Sequence, residues 1–235
     1  QRVPAREQIA AQALSVAPGN VVPMDSIVAW LEHNGYNRAS TVRESGEYAV
    51  RGGILDLYPA GLDQPVRLDF FGDALESIRS FDAETQRTLL TMRGLDLVPV
   101  SEFQLVTETI KRFRMGYVAE FGAPRRDDLL YEAVSEGRRH PGMEHWLPLF
   151  QERMETLFDY LGPTPVAIEP QGEDAARERF AQINDYYEAR REALGHDGGG
   201  AIYQPLPPDR LYLTEKEWQG RLEAAALARL TPFAV

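Results

Sequence analysis

The sequence predicts an α+β chain in two parts. A small domain on an antiparallel sheet is expected at about residues 20–100 and a helix-rich α/β part at 101–235, with a lead-in at 1–19. Three observations predict this. After Pro23 the apolar period is briefly helical, then changes to two from about residue 38. Turn residues divide the period-two stretch into short runs with close connections, the pattern of an antiparallel meander. From Ser101 the helical pattern returns, interrupted by two short strand-like runs, Val166-Ala167-Ile168 and Leu211-Tyr212-Leu213.

The lead-in is Ala-rich and stops at the breaker pair Pro18-Gly19. In MDSIVAWLEHNGY, residues Ile27, Trp30 and Leu31 share a helical face, Asp25 favours the positive end and Gly35 is the expected stop. Residues 38–50 read as two extended pieces around Ser45-Gly46, and GGILDLYP as a strand stopped by Pro59. The strand Val66–Phe71 puts Val66, Leu68 and Phe70 on one face and Arg67, Asp69 and Phe71 on the other. Ala74–Phe81 pairs with it across Gly72-Asp73, and Leu89–Val100 supplies one or two further strands.

In the second part the chain becomes helical up to Gly122, with Leu105, Ile110, Phe113 and Tyr117 only approximately spaced for one apolar face and with loose boundaries. A short helix with Leu129, Leu130, Ala133 and Val134 on its stripe is expected before Gly137. HPGMEHWLPLF predicts an irregular, well-packed connection around Trp146. Val166–Ile168 reads as a buried strand. Glu173–Leu194 is a long polar helix with a stripe of Phe180, Ile183 and Tyr187, ended by Gly195 and a mobile Gly198-Gly199-Gly200 loop. Leu211–Leu213 reads as a second strand. Thr214 with Glu217 forms a capping box opening a helix through TEKEWQGRLEAAALARL, with Trp218, Leu222 and Ala225 inward. Two strands are too few for a complete parallel sheet, so the remainder is expected outside this sequence.

Composition removes several functions. The 25 basic and 36 acidic residues give a net charge of -11, which disfavours a generic nucleic-acid coat. There is no cysteine, so thiolate, disulfide and Cys-metal chemistry are excluded. No run approaches the ~18 apolar residues of a spanning helix, and the charged opening QRVPAREQ encodes no secretion. Gln1 and the apolar close TPFAV predict a piece of a larger cytoplasmic protein. Among the four histidines only His140 and His145 are close, without a metal-site pattern. RGGIL and GHDGGGA lack the lysine and hydroxyl of a phosphate loop, so they read as turn glycines. No catalytic residue, metal or cofactor is assigned within the chain.

The informative patch is RGGILDLYPAGLDQPVRLDFFGD. Arg51, Arg67 and Phe71 can project from one sheet surface, and arginines beside an aromatic are common interface anchors. The same residues also allow local pairing of Arg67 with Asp69 or Glu76, with Phe71 simply ending a strand.

This stretch resembles the insertion domain shared by the nucleotide-excision-repair protein UvrB and the transcription-repair coupling factor. The resemblance rests on Gly46-Glu47-Tyr48, Arg51-Gly52 with Ile54–Pro59, Arg67-Leu68-Asp69-Phe70-Phe71, Ser77-Ile78-Arg79, Phe81-Asp82 and Thr85-Gln86-Arg87-Thr88. PGMEHWLPLF followed by ETLFDYLG looks like the coupling-factor pattern. The resemblance implies a UvrA-binding insertion domain joined to part of a degenerate, UvrB-like helicase domain of α/β type, and a non-catalytic recruitment role. It places the UvrA contact on Arg51, Arg67 and Phe71, with Arg79 peripheral or structural. It implies that ATP, Mg, RNA polymerase and DNA are handled by other domains of the parent, and that the parent's C-terminal region can cover the docking face. The alternatives are part of a UvrB-type ATP-dependent DNA-damage-processing enzyme, or a nonspecific DNA-binding domain. Trp146 reads as packing rather than as a ligand stacker.

Overall fold

The computed structural model describes residues 1–126, 128–194 and 204–231. The chain divides into two compact units, residues 6–106 and residues 1–5 with 107 onward. Strand β1 (Val3–Pro4) belongs to the latter.

The first unit contains α1 (Arg6–Ala10), β2 (Leu14–Val16), α2 (Met24–His33), β3 (Asn37–Arg38), β4 (Glu47–Arg51), β5 (Ile54–Leu57), β6 (Val66–Phe71), β7 (Ala74–Phe81), β8 (Thr88–Met92) and β9 (Leu95–Leu97). Strands β3 to β8 form a six-stranded sheet in chain order. From β4 onward neighbours are antiparallel, but β3 runs parallel to β4, so the sheet is mixed rather than wholly antiparallel. The chain reaches this geometry by looping from Arg38 back to Glu47 instead of making a tight hairpin. Strand β2 pairs with β9, which makes the unit wider than the expected 20–100 and draws most of the lead-in into it.

One face of the sheet is the core. Tyr48, Leu55, Leu57, Val66, Leu68, Leu75 and Ile78 meet Ile27 and Leu31 of α2, with Val16, Leu95 and Leu97 beside them. Helix α2 ends as its sequence predicts. Gly35 takes φ +91°, and the Tyr36 and Gly35 amides donate to the carbonyls of Leu31 and Glu32 at 3.0 and 3.3 Å, the paired bonds of a Schellman stop.

The second unit holds α3 (Thr107–Phe121), α4 (Leu129–Ser135), a 3-10 turn (Met143–Trp146), α5 (Leu147–Phe150), β10 (Met154–Glu155), α6 (Leu157–Leu161), β11 (Val166–Ile168), α7 (Gly172–Leu194), α8 (Pro208–Leu211), α9 (Glu215–Ala224) and β12 (Leu227–Arg229). Its core is aromatic: Phe113, Tyr117, Trp146 and Phe150 are buried together, and Phe113 stacks on Phe150 at 4.8 Å between centroids. Trp146 donates its indole N–H to the Gln204 carbonyl at 2.8 Å, so it is a packing residue. The Tyr117 hydroxyl donates to Asp128 at 2.6 Å, while the other oxygen of Asp128 caps α4 at the Tyr131 amide.

Several expectations need correction. Leu129, the first residue after the Asp128 cap, is exposed and Leu130 half-buried, so the buried part of the stripe is Ala133 and Val134. Residues 211–213 are not a strand: Pro207-Pro208 start a helical turn that ends at Leu211. Strand β11 instead pairs in parallel with β12, so the Ala-rich segment read as helix to its end stops at Ala224. Strand β11 is only half-buried, since among the described residues each strand of this pair has a single neighbour. The Thr214–Glu217 capping box is present, with the Thr214 amide donating to the carboxylate at 2.8 Å. The glycine loop expected at 195–200 lies outside the described residues.

Candidate protein-docking face

The face of the first unit's sheet opposite α2 carries a polar lattice fixed by strand register. Ala49, Asp56, Arg67, Arg79 and Thr91 lie opposite one another across β4 to β8, and Arg51, Ile54, Asp69 and Ser77 form the next row. Period-two alternation puts Phe71 on this face, one step beyond Asp69 at the end of β6. All three residues singled out by sequence therefore share one surface.

Their environments differ. Phe71 is 77% exposed, among the most exposed large apolar side chains of the chain. The neighbouring hairpin tip is Gly52-Gly53, which has no side chains to shield the ring. Gly52 holds φ +59° in the turn, and a Cβ on Gly53 would meet the Phe70 carbonyl oxygen at 2.7 Å, so a side chain there would force the backbone apart. Arg51 is exposed, and one guanidinium nitrogen donates to the Ser40 carbonyl at 2.7 Å and to Thr41 Oγ1 at 3.0 Å. That loop is pinned in turn by Glu47, whose carboxylate accepts from the Arg43 and Glu44 amides. These bonds hold Glu47 below the usual carboxylate range.

Arg67 is committed inside the sheet. Its Nε and Nη2 donate to the two oxygens of Asp56 at 2.6 and 2.8 Å, and its guanidinium lies 4.9 Å from the Phe81 ring centroid. Asp56 is only 1% exposed. The hydrogen-bonded Asp56 carboxylate, with Asp69 nearby, holds Arg67 protonated above the ordinary arginine range against the cost of its partial burial. The local partners considered from sequence, Asp69 and Glu76, are not the ones used. Asp69 instead accepts from Ser77 at 2.5 Å and from Arg79 at 2.7 Å, which gives Arg79 a structural role.

Asp56, which with Asp69, Asp73 and Glu76 reads from sequence as one of many acids on a solvated face, is instead buried against Arg67, and the alternation in ILDL puts it on that residue's face. Gly53 likewise read only as a turn glycine. Among the described residues no group of three or more His, Asp or Glu could hold a metal ion, and no helix is long and apolar enough to cross a membrane. A groove of about 860 Å³ between α3 and α4 is lined by Ile110, Lys111, Arg114, Met115, Val118 and Tyr131 among others.

Residues 14–103 match the family model of the UvrB interaction domain. The chain is 36% identical over 226 residues to the transcription-repair-coupling factor of Haemophilus influenzae, covering 95% of this chain and 19% of that protein. It is 35% identical over 218 residues to the Escherichia coli protein of the same name, covering 92% and 18%, and 36% identical over 233 residues to that of Myxococcus xanthus, covering 91% and 18%. It thus spans about a fifth of the length of these curated relatives. The chain belongs to the transcription-repair-coupling-factor family, as the stretch that carries the UvrB interaction domain.

Proposed function

We propose that this chain is a non-catalytic recruitment module that binds UvrA through the outer face of its mixed sheet. Phe71 supplies the desolvated anchor, Arg51 a pre-held guanidinium beside it, and Arg67 a charge locked in place by Asp56. The observation that carries this reading is the 77% exposure of an aromatic ring among fixed arginines on a rigid sheet. A ring with few rotatable bonds and a guanidinium already anchored lose little entropy on binding. The complementary surface of UvrA would present carboxylates.

In the parent protein the module would bring excision repair to stalled RNA polymerase in the cytoplasm. Motor domains elsewhere would use ATP and Mg on DNA, and the parent's C-terminal region would cover the docking face at rest. Residues 101–235 would be the C-terminal part of a degenerate helicase-like α/β domain. The parallel pair β11–β12 is consistent with such a layer.

Calorimetric titration of UvrA into the chain tests the reading, beside an Arg51→Ala/Arg67→Ala/Phe71→Ala variant checked by circular dichroism. Loss of binding in a folded variant is expected. Unchanged binding would place the contact elsewhere.

A further inference from the structure

Strand β8 is an edge of the six-stranded sheet, with no strand on its outer side among the described residues. Its sequence, Thr88-Leu89-Leu90-Thr91-Met92, carries no charge and favours extended structure. Leu90 is 68% exposed and Leu89 46%. Residues 19–22 carry the same edge past Met92: Val21 bridges Ala74, and the Val22 amide donates to the Asp73 carbonyl at 2.7 Å. Val21 is also largely exposed. An edge strand directs alternate N–H and C=O groups outward, and they demand partners of the same kind; in β8 this row is broken by a bulge, where Leu89 and Leu90 together stand against Ser80, so the outward groups fall in two short runs on either side of it.

The ends of the strand say which partner fits. Arg87 and Arg93 flank it, both exposed and neither in an ion pair among the described residues, in a chain whose net charge is -11. A second copy pairing about a two-fold axis would run antiparallel, centred on Leu90, and set Arg87 against Arg93 at both ends. Like charges opposed across strands are repulsive, so the edge resists its own copy. An extended segment with acidic residues at those positions is attracted at both ends, and its apolar side chains can cover Leu89 and Leu90.

We propose that β8 is a strand-addition site for an extended segment of a partner protein, apolar or β-branched at its centre and acidic at both ends. This surface is an edge, distinct from the sheet face proposed above for UvrA.

The probe is a labelled synthetic peptide of alternating Val and Thr closed by Glu at each end. Its binding to the full chain is read by fluorescence anisotropy and by amide hydrogen exchange. We expect saturable binding with slowed exchange across residues 88–92. Affinity should fall at least about tenfold in Arg87→Glu/Arg93→Glu, the loss of two charge pairs of roughly 0.7 kcal/mol each at tenfold per 1.4 kcal/mol. Two further peptides, N-methylated at one or the other alternate set of residues, separate main-chain pairing from stickiness, and one of them must fail to bind. Equal binding by both N-methylated peptides would overturn strand addition. So would no binding by the folded wild-type chain, which would leave Arg87 and Arg93 as guards against self-pairing. A concentration-dependent dimer abolished by Leu90→Lys would also overturn the proposal, by making a second copy the occupant.

Discussion

Arg67 and Asp56 sit directly opposite each other on β6 and β5 and are joined by two parallel hydrogen bonds, 2.6 and 2.8 Å long, with the carboxylate almost wholly out of water. This pair makes the charge on the candidate docking face a fixed feature of the sheet. It also means that the residues of that face are not equivalent targets for mutation.

Removing the carboxylate should destabilise the chain. Asp56→Ala strands a half-buried guanidinium, and the expected cost is about 2–4 kcal/mol, at the lower side of buried-pair losses because Arg67 keeps some contact with water. Urea denaturation checks it: a midpoint unchanged from wild type would mean that the pair contributes nothing net.

Phe71→Ala should leave stability within about 0.5 kcal/mol, because an exposed side chain gives up little burial. The same denaturation series, run side by side with Asp56→Ala, should therefore separate a surface residue from a structural one. A large loss in Phe71→Ala would show that the ring supports the hairpin.

Gly53→Ala should be harmful out of proportion to its size. The added methyl carbon would lie 2.7 Å from the Phe70 carbonyl oxygen, so β5 and β6 must separate where the Phe70 amide donates to the Gly53 carbonyl at 2.8 Å. A loss of about 1–3 kcal/mol is expected from overpacking against backbone. Faster hydrogen exchange at the Phe70 amide in this variant would identify the site of the opening.

Alkaline stability should report Tyr48. Burial, together with donation of its hydroxyl to Glu32 at 2.6 Å and the charge of that carboxylate, pushes its pKa up to about 12. A phenol whose folded pKa is raised contributes stability that is complete below the unfolded value near 10 and is lost as pH rises through the folded value. Unfolding free energy should therefore fall between about pH 10 and 12, and Tyr48→Phe should flatten part of that slope. Tyr117, raised by burial and by its bond to Asp128, contributes in the same direction. Urea titrations at a series of alkaline pH values measure the slope, and an identical slope in Tyr48→Phe would contradict this assignment.

Features governed by local sequence were legible without coordinates. The period-two alternation of Val66–Phe71 put Phe71 outside and Leu68 inside, and Gly35 and the Thr214–Glu217 pair marked real helix ends. Partners set by register across the sheet were not. Asp69 and Asp56 are equally acceptable to Arg67 until the pairing of β5 with β6 is known, and only that pairing selects Asp56. The parallel pairing of β3 with β4 hides for the same reason, because Asn37 and Arg38 bond to a strand reached after a loop. Tertiary pairing also overrode propensity at Leu227–Arg229, where an Ala-rich segment left the helix to join Val166–Ile168. At the candidate docking face, residue type and phase pointed to Arg51, Arg67 and Phe71, while the hydrogen bonds that distinguish their environments required the fold.

Binding of UvrA by the exposed face around Phe71 is tested by measuring the affinity of UvrA for Arg51→Ala/Phe71→Ala. This variant leaves the Arg67–Asp56 pair intact. A melting transition like that of wild type is expected, with an affinity loss of at least about 30-fold, the equivalent of a roughly 2 kcal/mol anchor. Wild-type affinity in the folded double variant would show that UvrA does not dock at Phe71.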